Sequence, residues 1–177
     1  MTDSQDRALT LRCTGKVLNL LDRTAARPTG ASAPPTDDDW YVNLLWLDRR
    51  KCLLMTHAGT LFSVLAVDVL QADLNQIGPL VVANIQRGLG AEGLAIDTFG
   101  RLDSVRIRLA GTASRSVLGC MSDMAFLCKH VVAQDRGLAH CDVPALNLQL
   151  RRNINSSRGY ARPIDLAAGW ARARAEL

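Results

Sequence analysis

Three residue types that can form a hydrolytic triad fall on one predicted helix in the second half of the chain. The segment 112–134 reads TASRSVLGCMSDMAFLCKHVVAQ and places Ser116, Asp123 and His130 seven residues apart. This spacing aligns them on one helix edge, but neighbours then lie about 10 Å apart at a rise of about 1.5 Å per residue. A nucleophile and its base must approach to about 3 Å. These residues therefore cannot form a triad among themselves, and a catalytic role would need a group from elsewhere.

The cysteines and histidines near this segment do not have the spacing of a metal site. Cys128 and His130 point about 200° apart on a helix, and His140 and Cys141 are adjacent in the chain. This spacing matches no zinc pattern. The sequence also has no glycine-rich phosphate loop, no GxSxG and no HExxH motif. It predicts no metal and no cofactor, and it argues against an enzyme.

The composition indicates a single globular domain in a reducing compartment. The chain has 177 residues, of which 48% are hydrophobic, and five cysteines without a CxxC pair. Free thiols within apolar runs suit a reducing compartment. The start is polar rather than a secretory signal, and no apolar run approaches the roughly 20 residues of a membrane span. We expect a cytoplasmic protein without a membrane segment.

Arginines in the C-terminal half are the candidates for contact with nucleic acid. The formal net charge of +4 is a mild basic excess, and no helix-turn-helix or RNA-binding signature accompanies it. Phosphate binding would require these side chains to share a face and would depend steeply on salt. The alternative is a soluble surface with scattered arginines. The candidates are Arg106, Arg108, Arg151, Arg152, Arg158 and Arg162.

The segments that must position these residues include both strands and helices. Residues 9–13 form a short predicted strand, and 40–69 contain three apolar runs with short spacers, which favours an antiparallel meander. Residues 104–109 alternate apolar and polar side chains, which predicts a half-buried strand with Val105 inside. Because the meander strands are nearly continuously apolar, we expect both sheet faces to be covered. The predicted class is α+β: an antiparallel β-meander sheet packed with helices, in one domain spanning 1–177.

Other parts of the chain are predicted to lie around this sheet. Residues 1–7 should be disordered, and 23–39, which contains three prolines, should be a flexible loop. The helix predicted over 68–90 should divide or kink at its Gly-Pro pair. Residues 142–177 should form a helical C-terminal extension, with a proline near the start of each helix.

The helix in segment 112–134 is predicted to bury one face. With Ser114 as the N-cap and a start at Arg115, its apolar residues follow the i, i+3, i+4, i+7 pattern. We expect this stripe to pack on the sheet, so that the polar edge is scaffold or docking surface rather than a reaction centre. The stripe comprises Val117, Cys120, Met121, Met124, Leu127, Cys128 and Val131.

Three stretches of the sequence resemble a family of small, uncharacterised bacterial domains of unknown function. They are LRCTGKVLNLL, DWYVNLLWLDRRKCLLMTH and SRSVLGCMSDMAFL, and family members look like LRxTxKLL, WYxNLL…RRxxLLFxN and RSVLGSMND. The resemblance spans roughly Leu9 to Ala133. Cys120 stands where Ser is common, and Ser122 where Asn is common. The resemblance implies a shared fold and brings no established activity, cofactor or substrate.

Polar and aromatic residues within these motifs are the binding candidates. They can converge on one surface, or they can form an internal network that fixes the late helix onto the sheet. In the second case, Arg115 could pair with a carboxylate such as Asp39. The candidates are Arg12, Trp40, Tyr41, Asn43, Arg115, Ser116 and Asp123.

Four functions are compatible with these features. The first is a non-enzymatic cytoplasmic binding or regulatory domain acting through protein–protein contacts, either with another protein or as a homo-oligomer paired through the sheet edge. The second is a nucleic-acid-binding protein that uses the C-terminal arginines. The third is a phage or mobile-element inhibitor or antitoxin, and the fourth is a small hydrolase or nuclease in which folding brings together Asp123, Arg115 and His57. The lack of a catalytic constellation favours the first.

Overall fold

Five strands form one mixed sheet at the centre of the fold. The computed structural model describes residues 8–21 and 33–176. The strand order is β4-β3-β2-β1-β5; β1 pairs in parallel with β2 and β5, whereas β2–β3 and β3–β4 are antiparallel. The strands are β1 (Leu9–Cys13), β2 (Trp40–Leu47), β3 (Arg50–His57), β4 (Ser63–Ala66) and β5 (Ile107–Gly111).

Helices lie on both sides of this sheet. In the described ranges they are α1 (Gly15–Leu21), α2 (Gln71–Leu74), α3 (Ile77–Ala91), α4 (Arg115–Gln134), α5 (Val143–Arg152) and α6 (Pro163–Ala175), with 3₁₀ turns at Leu138–His140 and Ser156–Arg158. The α5 and α6 helices lie within residues 142–177, and each has a proline in its first turn. Residues 1–7, and 23–32 of the predicted loop, lie outside the described residues.

Each face of the sheet buries its own apolar cluster. Because successive strand residues point to opposite faces, Val42 and Leu44 of β2 pack with α1 and α3, whereas Tyr41 and Leu45 pack with α4 and α5. This two-sided burial explains the nearly continuous apolar runs, as predicted.

The predicted α+β class is confirmed, but the sheet is not purely antiparallel. The β2–β3–β4 part is the predicted meander. The segment from Cys13 to Trp40, which includes α1, is long enough for a crossover connection, so β1 can run parallel to β2. β1 lies between β2 and β5 and pairs in parallel with both.

Two local predictions have different outcomes. The helical region divides as expected: α2 ends at Leu74, and Pro79 falls in the first turn of α3, where its missing N–H costs no helical bond. The late strand is shorter than predicted, because β5 begins only at Ile107. Val105, which was predicted to point inside, precedes the strand and is 88% exposed. The Asp103 carboxylate accepts hydrogen bonds from the Val105 and Arg106 N–H groups at 2.8 and 3.2 Å, which holds this segment in a turn.

Candidate functional site

The start of α4 is fixed by two hydrogen bonds at Ser114. Its Oγ accepts the Val117 N–H at 3.3 Å, which confirms the predicted N-cap. Its own N–H donates to the Tyr41 hydroxyl at 3.1 Å. Because Tyr41 is on the central strand β2, this second bond sets where α4 begins relative to the sheet.

The inner face of α4 packs on the sheet as predicted. Met121 and Met124 are 1% and 5% exposed. Burial raises the pKa of the Cys128 thiol to about 12, so this cysteine is a packing residue and a poor nucleophile. The predicted stripe is correct except at its end, where Leu127 and Val131 are half-buried. The buried residues are Val117, Cys120, Met121, Met124, Ala125, Cys128 and Val132.

The outer face of α4, which we define as Arg115, Ser116, Gly119, Asp123 and Phe126, is exposed to solvent. The side chains of Arg115, Ser116 and Asp123 have no ion pair or hydrogen bond with any described residue. Phe126 is 73% exposed, and its ring stacks on that of His130, with centroids 6.4 Å apart and planes at 9°. The outer face of α4 thus combines unpaired charges with an exposed aromatic ring.

Gly119 lies in the middle of this face, where packing does not require a glycine. A Cβ built at this position would meet no atom within 4 Å. Glycine inside a helix costs roughly 0.5–1 kcal/mol relative to alanine. The fold therefore gains nothing from this glycine, which leaves bare backbone between Ser116 and Asp123.

The candidate Arg12 belongs to a buried network rather than to a surface. Its Nε lies 2.5 Å from Asp39 Oδ2, and the two side chains are 1% and 3% exposed. It also donates to the carbonyl oxygens of Ala33 at 2.6 Å and Gly111 at 3.2 Å. The pairing of Asp39 with Arg115 does not form, because Arg12 occupies this carboxylate and Arg115 faces solvent.

The candidates on β2 are also internal. Trp40 and Tyr41 are 0% and 1% exposed, because β2 is a central strand covered on both faces. Asn43 is half-buried, and its Oδ1 accepts the Thr14 hydroxyl at 3.1 Å, which joins β2 to the start of α1. The structure therefore separates the seven binding candidates into an internal group and an exposed group on α4.

His57 lies on the side of the sheet opposite α4. Its ring packs against Trp40, Phe99 and Trp170, with centroid distances of 5.2, 4.3 and 5.2 Å. Burial, together with the charge of Arg174, lowers the His57 pKa to about 3. His57 is therefore neutral at physiological pH, and the structure does not bring it together with Arg115 and Asp123.

The arginines predicted to contact nucleic acid are divided between the two edges of the sheet. Arg106 and Arg108 lie at β5, whereas Arg151 and Arg152 belong to α5, which packs on β4. Phosphate binding along one face requires a continuous basic surface. Arg106 and Arg108 are at the opposite edge of the sheet from Arg151 and Arg152.

Several of these arginines are engaged within the molecule. The buried Glu92 carboxylate accepts hydrogen bonds from Arg151 at 2.7 Å and Arg152 at 2.8 Å. Arg158 donates to the Ala58 carbonyl at 2.7 Å, and Arg162 pairs with Asp165 at 2.7 Å. Their first role is intramolecular.

A shallow groove at the C-terminal half of α4 was not anticipated from the sequence. Its volume is about 320 Å³, and its rim includes Trp46, which is 54% exposed. The available signal was the position of this tryptophan at the end of an otherwise buried strand. The groove is lined by Trp46, Leu47, Asp48, Lys129, Val132, Ala133, Arg136 and Gly137.

Neither a metal site nor a clear membrane segment emerges from the described ranges. They contain no group of three or more His, Cys, Asp or Glu residues that could hold a metal. Contrary to the expectation that no segment is long and apolar enough for a span, the 20-residue α4 meets that criterion, with a mean hydropathy of 1.3. Length and composition alone are weak evidence, because α4 also has the inner face of a core helix.

The structure thus defines an α+β domain whose longest helix presents an unpaired outer face. A family model described as a domain of unknown function, DUF6933, matches residues 10–166, and the chain belongs to this family. This confirms the expected membership in a family of small uncharacterised domains. No curated protein and no solved structure matches the chain. The matched range includes all of α4, and therefore the whole outer face.

Proposed function

We propose that this is a non-enzymatic domain that binds another protein through the outer face of α4. The observation that carries the proposal is Gly119, an exposed glycine in the second turn of α4 with open space around it. This glycine lowers helix stability without helping the fold. We therefore assign it to binding, because it leaves the helix backbone accessible. A residue without a side chain lets a partner's backbone approach the helix closely.

The side chains around Gly119 support a protein partner. Phe126 supplies an exposed aromatic anchor, Asp123 supplies a negative charge one turn before it, and Arg115 supplies a positive charge at the start of the same face. Aromatic residues, phenylalanine among them, and arginine are enriched in protein–protein interfaces relative to the rest of the surface. The location in a reducing compartment, the cytoplasm, is part of the same proposal and is supported by five free cysteines, four of them buried.

The test compares Gly119→Leu with Gly90→Leu. Gly90, near the C-terminal end of α3, is the control, because it is also an exposed helical glycine with no atom within 4 Å of a built Cβ. Both variants should fold at least as stably as the parent, since leucine is the better helix former. Tagged protein is used to enrich binding proteins from the source cells, with quantification by mass spectrometry.

We expect proteins enriched by the parent and by Gly90→Leu to be lost with Gly119→Leu. Asp123→Lys should reduce the same proteins, because it reverses a charge on the same face. Recovery of an unchanged set with both outer-face variants would refute the proposal.

A further inference from the structure

The two edge strands, β4 and β5, differ in whether their outward-facing backbone groups are hydrogen-bonded. At β4, the side-chain amide of Asn147 on α5 accepts the Leu65 N–H at 2.8 Å and donates to the Leu65 carbonyl at 3.1 Å. Arg151 donates to the Ser63 carbonyl at 3.2 Å. These side chains take the place of a neighbouring strand, so the β4 edge is closed to further pairing.

At β5 the corresponding backbone groups are open. The Leu9 N–H donates to the Arg106 carbonyl at 3.0 Å, so in this parallel ladder Arg108 and Ala110 turn their backbone groups toward β1. Ile107 and Leu109 turn theirs outward, and no described residue hydrogen-bonds to them. Within the part of the chain that the structure describes, the sheet therefore ends in a row of donors and acceptors without partners.

The side chains of β5 give the open edge two distinct faces. Ile107 and Leu109 pack against the apolar cluster beneath α3, and Gly78 of α3 lies so close that a Cβ there would clash with Ile107. Arg108 points to the opposite face, where it is exposed and has no ion pair with a described residue. An added strand would thus meet an apolar side and a cationic side in alternation.

We propose that β5 accepts an extended strand of a partner protein, which carries an acidic side chain next to Arg108. Backbone hydrogen bonds to Ile107 and Leu109 supply the pairing, and alternate side chains supply the selectivity, as in other cases of strand addition. Opposite charges on neighbouring strands stabilise such a pair. This inference goes beyond the outer face of α4 and does not depend on it.

Charge argues against a second copy of this chain as the occupant. A two-fold antiparallel pairing centred on Arg108 or Leu109 would place two Arg108 side chains on one face as direct or diagonal neighbours. β5 contains no acidic residue to offset them. A partner strand with a carboxylate at this position avoids the repulsion and gains an ion pair.

Amide hydrogen exchange measured by NMR tests the proposal directly. The probe is a blocked seven-residue peptide of alternating valine and glutamate, and the control peptide has lysine in place of glutamate. In the free protein, the Ile107 and Leu109 amides should exchange fast, and those of Arg108 and Ala110 slowly. The acidic peptide should slow exchange at Ile107 and Leu109 at least about tenfold, and the basic peptide should not.

Substitutions in β5 separate the contribution of backbone strand pairing from that of the Arg108 charge. Arg108→Glu should remove binding of the acidic peptide and create binding of the basic one, whereas the exposed Arg172→Glu on α6 should change neither. Leu109→Pro should block the acidic peptide, because it removes an outward N–H while leaving the β1 bonds of Arg108 and Ala110 in place. Gly119→Leu should still bind the acidic peptide, so failure of the α4 proposal and failure of this one are distinguishable.

Three outcomes would overturn the proposal. One is no change in exchange with the acidic peptide at about 1 mM, which is the weak end of specific binding. Another is that Ile107 and Leu109 are already protected in dilute protein, which would mean that the chain covers its own edge. The third is protection that rises with protein concentration alone, which would identify a second copy as the occupant.

Discussion

Arg12 and Asp39 form a buried ion pair that joins β1 to the residue just before β2, with 2.5 Å between Nε and Oδ2. The Asp39 carboxylate also accepts the Thr36 N–H at 3.0 Å and the Thr36 hydroxyl at 2.8 Å. Arg12 reaches the Ala33 and Gly111 carbonyls as well. The pair therefore joins three chain segments, namely β1, residues 33–39 and the end of β5.

Replacing Arg12 should be strongly destabilising. In Arg12→Met, the Asp39 carboxylate would remain 2% exposed without its cation, and breaking a buried pair in this way costs about 3–5 kcal/mol. Urea denaturation at neutral pH measures the loss. Arg115→Met is the control, since an exposed arginine without a partner should change the free energy of unfolding by less than about 0.5 kcal/mol. Similar losses for both variants would contradict the structural role of Arg12.

His57 should make the protein less stable as the pH falls below about 6.5. Burial first, and then the Arg174 charge, lower its folded pKa to about 3, whereas the unfolded value is about 6.5. Between these values only the unfolded chain takes up the proton, so stability decreases with falling pH by up to about 1.4 kcal/mol per pH unit. Urea denaturation at a series of pH values measures this slope.

A histidine on the surface provides the comparison for this pH dependence. His57→Leu should flatten the slope between about pH 6.5 and pH 4, whatever its effect on stability at neutral pH. His130→Leu is the control substitution, because it removes an exposed histidine from α4 and leaves the surroundings of His57 intact, so the slope caused by His57 should remain. A parent protein whose stability is level across this range would show that His57 is not held neutral.

Glu92 should contribute stability that is lost in acid. Burial alone would raise its pKa, but hydrogen bonds and charges from Arg152 and Arg151 outweigh this and lower it. The contribution is present above the unfolded pKa of about 4.3 and disappears as the pH falls through the lower folded value. Glu92→Gln should therefore cost about 3 kcal/mol at pH 7, because Arg151 is 1% exposed and loses its counter-charge.

The control for Glu92 is an exposed pair of the same type. Asp165→Asn breaks a contact with Arg162 in which both side chains are about half exposed, so it should cost no more than about 1 kcal/mol. In addition, the difference between Glu92→Gln and the parent should shrink toward acid pH. A difference that stays constant down to acid pH would mean that the carboxylate charge is not its cause.

The sequence predicted the features of this fold that depend on local order. The Ser114 cap and the inner face of α4 follow from hydrogen-bonding residue types and helical periodicity. The position of β1 between β2 and β5 depends on pairing across long sequence separations, which periodicity does not encode. The same holds for Asp39, whose partner is chosen by strand order rather than by any sequence pattern.

For the candidate site, the sequence indicated the right helix but did not separate its two kinds of polar residue. The motif residues Arg12 and Asp123 are equally polar in the sequence, yet the first is buried in an ion pair and the second is exposed. The difference arises from the neighbouring strands that cover Arg12. Open edges such as that of β5 also become visible only when the partner of every backbone group is known.

Gly119→Ala should stabilise the protein. This substitution separates the effect of the glycine on the free energy of unfolding from its proposed role in binding a partner. The added methyl group meets no atom within 4 Å, so the gain is the usual helical preference of alanine, roughly 0.5–1 kcal/mol. Gly90→Ala should give a smaller gain, because Gly90 is the second-last residue of α3. Gly137→Ala should instead destabilise, because Gly137 has a φ of +123° and a Cβ there would lie 3.0 Å from the Asp48 carboxylate. Thermal or urea unfolding of the three variants measures these differences, and a loss of stability in Gly119→Ala would mean that the fold itself requires this glycine, leaving no reason to assign it to a partner.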